Sequence, residues 1–106
     1  MTDLVRGRIY AAVLSERLGE KPYLVVSNNR RNRALDTVLA VRVTTSQKPN
    51  LVSIVPTTPE DPVSGRVLCD DIVEIWPDEV RRDLGACTPA TMRRVADGLR
   101  AALALS

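Results

Sequence analysis

The stretch Thr37-Val38-Leu39-Ala40-Val41-Arg42-Val43-Thr44-Thr45 decides the fold of this chain. Most of its residues are β-branched, a composition that suits a pleated strand. Side chains alternate between the two faces of a strand, so every second residue shares a face. One face holds Val38, Ala40, Arg42 and Thr44. The stretch therefore predicts a β-strand that ends in hydroxyl groups.

Strand patterns lie on both sides of this stretch. Val5 to Val13 alternates apolar with polar residues, and Tyr23 to Val26 is a short apolar run typical of a buried strand. Further strands are predicted at 51–55, 66–69 and 72–76, the last two forming one or two strands around Asp70-Asp71. Polar or proline-rich connections are predicted at 15–22, 27–33 and 56–65. Five or six short strands at this spacing predict a small barrel or sandwich.

The C-terminal segment changes to a helical period. Thr88 is a candidate N-cap, and Pro89 suits the first helical position, where its missing N–H costs nothing. The apolar residues that then recur at helical spacing are Met92, Val95, Ala96, Leu99, Ala102 and Leu103. We therefore expect an amphipathic helix after a β domain, and so a mainly β, α+β fold in which residues 1–106 form a single domain.

The composition excludes several familiar classes of enzyme. The 106 residues contain no histidine, which rules out Ser-His-Asp and Cys-His nucleophilic units and imidazole-ligated zinc. The two cysteines are too few for a disulfide framework. No stretch approaches the length of a membrane span, and no signal peptide is visible, so we expect a cytoplasmic protein with no membrane partner. An enzyme with this composition must use lysine, arginine, carboxylates and hydroxyls.

Charge is distributed unevenly along the chain. Residues 1–48 carry nine basic and four acidic side chains, a net +5, whereas residues 49–106 carry six basic and nine acidic ones, a net −3. A basic half can form a local footprint for a polyanion. Alternatively, the two halves fold together and their charges neutralise each other.

Two groups of residues at strand ends could contact a phosphate. Lys21 directly precedes Pro22, which biases Lys21 toward extended backbone at the start of an apolar strand. Thr44-Thr45-Ser46 ends the next strand with three hydroxyls, and Lys48 follows. The simpler alternative is a solvated lysine and polar turn residues. Adjacent carboxylates at Asp70-Asp71 point to opposite faces of a strand, which argues against a shared metal ion.

Several short segments follow one another along the chain in a characteristic order. They are Arg6-Gly7-Arg8-Ile9-Tyr10, Lys21 to Asn29, Val41 to Ser46, Gly65 to Ile72, Leu84-Gly85 and Thr88 to Met92. Each segment is weak evidence alone, but their order and the chain length together are specific. In both respects the chain resembles the MazF/PemK family of toxin endoribonucleases.

This resemblance implies a fold, a reaction and partners. The fold would be an SH3-like β-barrel with added helices, in a homodimer. The reaction would be sequence-specific cleavage of single-stranded messenger or transfer RNA without metal or other cofactor, which blocks translation. The RNA 2′-OH would attack the adjacent phosphate and leave 2′,3′-cyclic phosphate and 5′-OH ends. A cognate antitoxin protein would block the RNA site.

The resemblance also implies roles for individual residues. Lys21 and Thr44 occupy the positions of the catalytic pair, with lysine where the family has arginine, a change that replaces a planar fork with a point charge. Asp70 matches part of a further family motif, and Glu20 matches an acidic loop residue. The expected RNA-binding set is Arg17, Glu20, Thr45, Ser46, Lys48 and Asp70. Because Lys21 departs from the family pattern, a non-cleaving toxin of the same fold that binds DNA gyrase stays an alternative.

Overall fold

The computed structural model describes residues 2–106, which form six strands and two α-helices. The elements in chain order are β1 (Arg8–Val13), β2 (Glu20–Val25), α1 (Asn29–Ala34), β3 (Val38–Thr44), β4 (Ile54–Pro56), β5 (Arg66–Ile75), a 3₁₀ turn (Pro77–Glu79), β6 (Val80–Ala86) and α2 (Pro89–Leu103). This architecture confirms the predicted α+β class.

All six strands belong to one antiparallel sheet with the order β4-β5-β3-β2-β1-β6. The predicted strand at 37–45 is confirmed as β3, and it lies at the centre of the sheet beside β2. Within residues 2–106 the outer strands β4 and β6 do not pair with each other, so hydrogen bonds do not close the sheet into a barrel. The expected barrel is therefore an open six-stranded sheet.

Residues 66–75 form one continuous strand through Asp70-Asp71, which is one of the two predicted possibilities. Three other features differ from the sequence prediction. The sixth strand is Val80–Ala86, where the sequence predicts no strand. The predicted turn at 27–33 contains α1, because the Asn28 side chain accepts a hydrogen bond from the Arg31 N–H and caps the first turn. The predicted loop 15–22 ends early, because β2 begins at Glu20.

Apolar side chains fill both faces of the central strands. One core cluster includes Leu24, Val41 and Val43 and extends to α2. The opposite cluster includes Tyr23, Val25 and Ala40. Residues alternate between the clusters along β2 and β3, as strand geometry requires. Arg42 and Thr44 therefore share the face of Ala40, at the end of the second cluster.

Helix α2 has a capped start and packs closely against the sheet in its second half. At its start, Thr88 is the predicted N-cap, and its hydroxyl accepts a hydrogen bond from the Thr91 N–H. Further along, Gly98 allows a close approach to β5, because a Cβ there would lie 2.7 Å from the Cys69 sulfur. These contacts fix the helix across one core cluster.

Neither of the two α-helices in residues 2–106 is both long and apolar enough to cross a membrane.

Candidate active site

A small cleft opens where β2 begins and β3 ends. It has a volume of about 190 Å³, well above what one water molecule needs. Its lining residues are Lys21, Pro22, Arg42, Val43, Thr44, Thr45 and Ser46. The cleft thus brings together four of the eight residues that the sequence analysis named for catalysis or RNA binding.

The register of β2 and β3 places Lys21 across from Thr44. The β2–β3 ladder pairs Leu24 with Val41 and ends with Tyr23 opposite Arg42. Extended by two residues toward the start of β2, the same register sets Lys21 opposite Thr44. Directly opposite residues have Cβ atoms about 4.5–5.5 Å apart and project to the same face. A cation and a hydroxyl therefore flank one point in the cleft.

The hydroxyl group of Thr44 is held in place and is free to donate a hydrogen bond. Its side chain accepts a hydrogen bond from the Ser46 N–H at 3.2 Å, and the residue is only 7% exposed. A hydroxyl that accepts one bond still has a proton to donate. The turn at Ser46 therefore orients Thr44 as a donor toward an oxygen bound in the cleft.

Gly65, which ends the proline-rich loop, and Arg66, which begins β5, lie against Thr44. Gly65 has a φ of +151°, and a Cβ at this position would lie 2.5 Å from the Thr44 carbonyl oxygen. Arg66 pairs with Thr44 in the β3–β5 ladder. Only glycine at 65 combines this backbone conformation with such a close approach, so it fixes the end of β3.

The proline-rich loop is tied to α2 by Asp61. This carboxylate, 9% exposed, accepts hydrogen bonds from the Thr88 N–H, the Thr91 hydroxyl and both the N–H and hydroxyl of Thr58. Burial opposes ionisation of Asp61, but these hydrogen bonds outweigh it and lower its pKa. The loop that ends at Gly65 is therefore anchored as a charged, structured unit.

Arg42 lines the cleft and was missing from the predicted set of site residues. Its Nε is buried and has no hydrogen-bond partner among the described residues. The alternation along 37–45 already placed Arg42 on the face of Thr44, and that signal could have identified it.

The other four predicted residues lie outside the cleft lining. Arg17 is exposed in the turn between β1 and β2, and Lys48 is exposed after β3. Glu20 forms an ion pair with Arg82 of β6, with 2.6 Å between Oε2 and the guanidinium nitrogen. Asp70 is exposed on β5, where that strand bulges away from β3. These residues can contact only the parts of a ligand that extend beyond the cleft.

The two cysteines are buried, unpaired thiols. Burial, and then the charge of Asp70, raises the pKa of Cys69 to about 11. Burial, and then Asp61, raises the pKa of Cys87 to about 12. Both thiols therefore stay protonated near neutral pH and are poor nucleophiles. Among residues 2–106, no three carboxylate or thiol side chains cluster closely enough to hold a metal ion.

A larger groove of about 420 Å³ lies between residues 50–56 and α2. Its lining is mostly apolar, with Arg94 and Asp97 on the helix side. None of the predicted site residues lines it, so the smaller cleft is the candidate active site.

The cleft brings together Lys21 and Thr44, the two residues at the positions of the catalytic pair in the resemblance to toxin endoribonucleases. The family described as PemK-like, MazF-like toxin of type II toxin-antitoxin system matches residues 5–103. The chain is 42% identical to endoribonuclease MazF4 of Mycobacterium tuberculosis over 105 residues, 99% of this chain and 97% of that protein. Endoribonuclease MazF1 of Mycobacterium bovis is equally similar.

Solved structures agree with the sequence comparison. A mycobacterial endoribonuclease in complex with its cognate antitoxin is 41% identical, with a TM-score of 0.91 and 97% of both chains covered. A MazE–MazF structure from Deinococcus radiodurans, 22% identical with a TM-score of 0.82, shares the fold over 100% of both chains. The chain belongs to the PemK-like, MazF-like toxins of type II toxin–antitoxin systems. The predicted family is confirmed, and so is the predicted enzyme class, because the curated relatives are endoribonucleases.

Proposed function

We propose that this toxin cleaves single-stranded RNA at short sequences, without a metal ion, and so blocks translation. The observation that carries the proposal is the cleft in which the Lys21 cation and the Thr44 hydroxyl lie across from each other in the β2–β3 register. A phosphodiester there meets one positive charge and one hydrogen-bond donor. Because the curated relatives are endoribonucleases, cleavage is favoured over the gyrase-binding alternative.

The reaction proposed is an internal transesterification. The ribose 2′-oxygen attacks the adjacent phosphorus, its proton passes to water, and the bond from phosphorus to the 5′-oxygen breaks. Lys21 donates a proton to the departing 5′-oxygen and is reprotonated by solvent. Thr44 donates a hydrogen bond to a non-bridging phosphate oxygen, where negative charge grows in the transition state. The products are a 2′,3′-cyclic phosphate and a 5′-OH, with no net change in protons.

RNA itself supplies the nucleophile, so the protein has no need to activate a side chain or a metal-bound water. The protein must position the phosphate in line and stabilise its charge, which are effects worth several powers of ten in rate. The cleft offers cations and hydroxyls for both tasks. Since it lacks aromatic side chains, the RNA is held by charge and hydrogen bonds, and we expect its binding to weaken steeply with salt.

The residues outside the cleft lining are proposed to contact RNA further along the strand. Arg17 and Lys48 are exposed and basic, and Glu20 and Asp70 are exposed acceptors for base or ribose donors. The chain is proposed to act in the cytoplasm as a homodimer, which lengthens this surface. A related mycobacterial endoribonuclease forms a complex with its cognate antitoxin, and we propose that an antitoxin likewise binds and blocks this chain.

The test is cleavage of a long, mixed-sequence RNA transcript by the purified protein in EDTA. Cut ends are mapped by sequencing, with and without removal of cyclic phosphates. We expect the wild type to produce 3′ ends that ligate only after that removal. Lys21→Ala and Thr44→Val should each lower the rate by roughly 100-fold or more, as removal of a single oxyanion donor does in other enzymes.

Arg93→Ala is the matched control, because Arg93 is exposed on α2 and does not line the cleft. It should cleave like the wild type. Intact RNA with the wild type would overturn the proposed function. Cleavage that requires added Mg²⁺ would overturn the metal-free mechanism, and full activity of both cleft variants would overturn the residue assignment.

A further inference from the structure

Arg42 is a half-buried cation that lines the cleft and whose Nε is buried. Its Nε is the buried side-chain nitrogen that lacks a hydrogen bond among the described residues, and no ion pair joins Arg42 to a described carboxylate. A buried donor left unpaired costs about 1–3 kcal/mol, and more when it is charged. An anion bound in the cleft would remove this cost.

The position of Arg42 brings it to the same point as Lys21 and Thr44. Arg42 lies two residues before Thr44 on the same face of β3, about 7 Å along the strand. It is also the diagonal neighbour of Lys21, since Arg42 pairs with Tyr23 on β2. Diagonal neighbours about 7–8 Å apart are within reach of long side chains. All three residues line the cleft, so one phosphate can contact all three.

We propose that Arg42 binds the scissile phosphate and supplies the planar, two-pronged contact that Lys21 cannot make, an inference that rests on the proposed function. A guanidinium binds two phosphate oxygens at once and so fixes the orientation of the group, whereas an ammonium acts as a point charge. Arg42 thereby orients the phosphate for in-line attack, while Lys21 is left to move the proton. The division of labour assigns each cation a separate step.

A purely structural role for Arg42 is the competing explanation. Burial raises the pKa of Tyr23, and the negative charges of Asp71 and Glu79 raise it further. The positive charge of Arg42 acts in the opposite direction and lowers the pKa of Tyr23. Arg42 could thus serve only to balance carboxylates near the second core cluster. Such a role would appear in stability and not in the rate of cleavage at saturating RNA.

The experiment compares Arg42→Gln and Arg42→Lys with the wild type and with Arg93→Gln, the matched control on α2. Substrates are a labelled oligoribonucleotide that spans the strongest mapped cut and the same oligonucleotide with one 2′-deoxy sugar at that cut. We expect kcat to fall roughly 100-fold for Arg42→Gln and roughly 10-fold for Arg42→Lys. The slope of log Kd against log salt for the deoxy probe should fall by about 0.7, the value for one lost phosphate contact on a single strand.

Two further measurements separate phosphate contact from structural support. Low-millimolar guanidinium should restore part of the activity of Arg42→Gln and none of that of Thr44→Val. Adding Lys21→Arg to Arg42→Gln should recover part of the affinity for the deoxy probe but none of kcat, because the fork returns from the diagonal position while the proton donor is lost. Unchanged kcat and salt slope in Arg42→Gln would overturn the inference. If that variant unfolds, Arg42→Lys decides: full activity overturns the inference, and a tenfold loss upholds it.

Failure of the proposed function gives a different pattern. If the wild type binds the deoxy probe but cleaves no RNA, the proposed function fails, while a reduced salt slope in Arg42→Gln still upholds the phosphate contact.

Discussion

Replacement of Asp61 by asparagine tests how the proline-rich loop is fixed to α2. Oδ2 of Asp61 accepts the N–H of Thr58 at 2.8 Å and the hydroxyl of Thr91 at 2.6 Å, and Oδ1 accepts the N–H of Thr88 at 2.9 Å. In Asp61→Asn one of these oxygens becomes an amide nitrogen. Whichever oxygen is replaced, a backbone N–H then faces another donor and loses its partner.

The magnitude follows from that lost partner and from the lost charge. One buried donor without an acceptor costs about 1–3 kcal/mol, and bonds to a charged acceptor are worth more than neutral ones. We therefore expect the free energy of unfolding to fall by about 2–3 kcal/mol. With an unfolding entropy of about 2.1 cal/mol/K for each of the 106 residues, Tm should fall by about 9–14 °C.

The effect should depend on pH. The pKa of Asp61 is lowered in the folded chain, below the value of about 3.9 for an unfolded aspartate. Its contribution to stability is therefore complete above about pH 4–5 and is lost as pH falls through the lowered folded pKa. Asparagine does not titrate, so the difference between wild type and Asp61→Asn should shrink below about pH 4.

Urea unfolding followed by circular dichroism, from near-neutral pH down to about pH 3, measures this difference. Asp97→Asn is the control, since Asp97 forms an exposed i,i+3 ion pair with Arg100 and should cost at most about 0.5 kcal/mol. A loss below about 0.5 kcal/mol in Asp61→Asn, or a difference that stays constant into acid, would refute the reasoning.

Three further predictions concern the cleft and the packing of α2. Gly65→Ala should lower kcat about tenfold or more, with a smaller effect on KM. The added Cβ would lie 2.5 Å from the Thr44 carbonyl oxygen and so would displace the end of β3. Unchanged steady-state kinetics would contradict this expectation. Gly98→Ala should lower the free energy of unfolding by about 1–3 kcal/mol, since the added methyl carbon would lie 2.7 Å from the Cys69 sulfur. Chemical denaturation measures this loss of stability. Combining Gly98→Ala with Cys69→Ala should recover part of the loss. The Glu20→Gln variant should cleave RNA at a rate within about threefold of the wild type, because the Glu20 carboxylate is paired with Arg82 and exposed pairs contribute little. Loss of the acidic limb of the pH–rate profile in this variant would instead assign Glu20 a role in proton transfer.

Local patterns predicted the centre of the fold well. The β-branched run at 37–45 and the Thr88-Pro89 pair have strong intrinsic preferences, and they became β3 and the start of α2. The strand Val80–Ala86 escaped prediction because its middle residues, Arg81, Arg82 and Asp83, are charged and exposed, as suits an outer strand. Its stability comes from pairing with β1, which no local pattern reveals. The Asn28 cap similarly formed a short helix in a segment rich in turn residues.

The site could be predicted only in part, for a related reason. Lys21 and Thr44 stand at strand ends, and strand order alone brings them together. Arg42 was overlooked because a charged residue inside an apolar strand carries no motif, although its alternation with Thr44 was visible. The pairing of Glu20 with Arg82 depends on contact between residues far apart in the chain, which charge patterning does not specify.

The place of β2 and β3 in the middle of the sheet has a consequence for control of the toxin. Each of these strands has a hydrogen-bonded neighbour on both sides, and amides in such strands exchange with solvent only when the domain opens widely. The two strands that carry the cleft are thus protected from fraying at a sheet edge. A catalyst built this way is not readily switched off by fraying of its own chain. We therefore expect its activity to be restrained from outside, by a molecule that binds the folded protein.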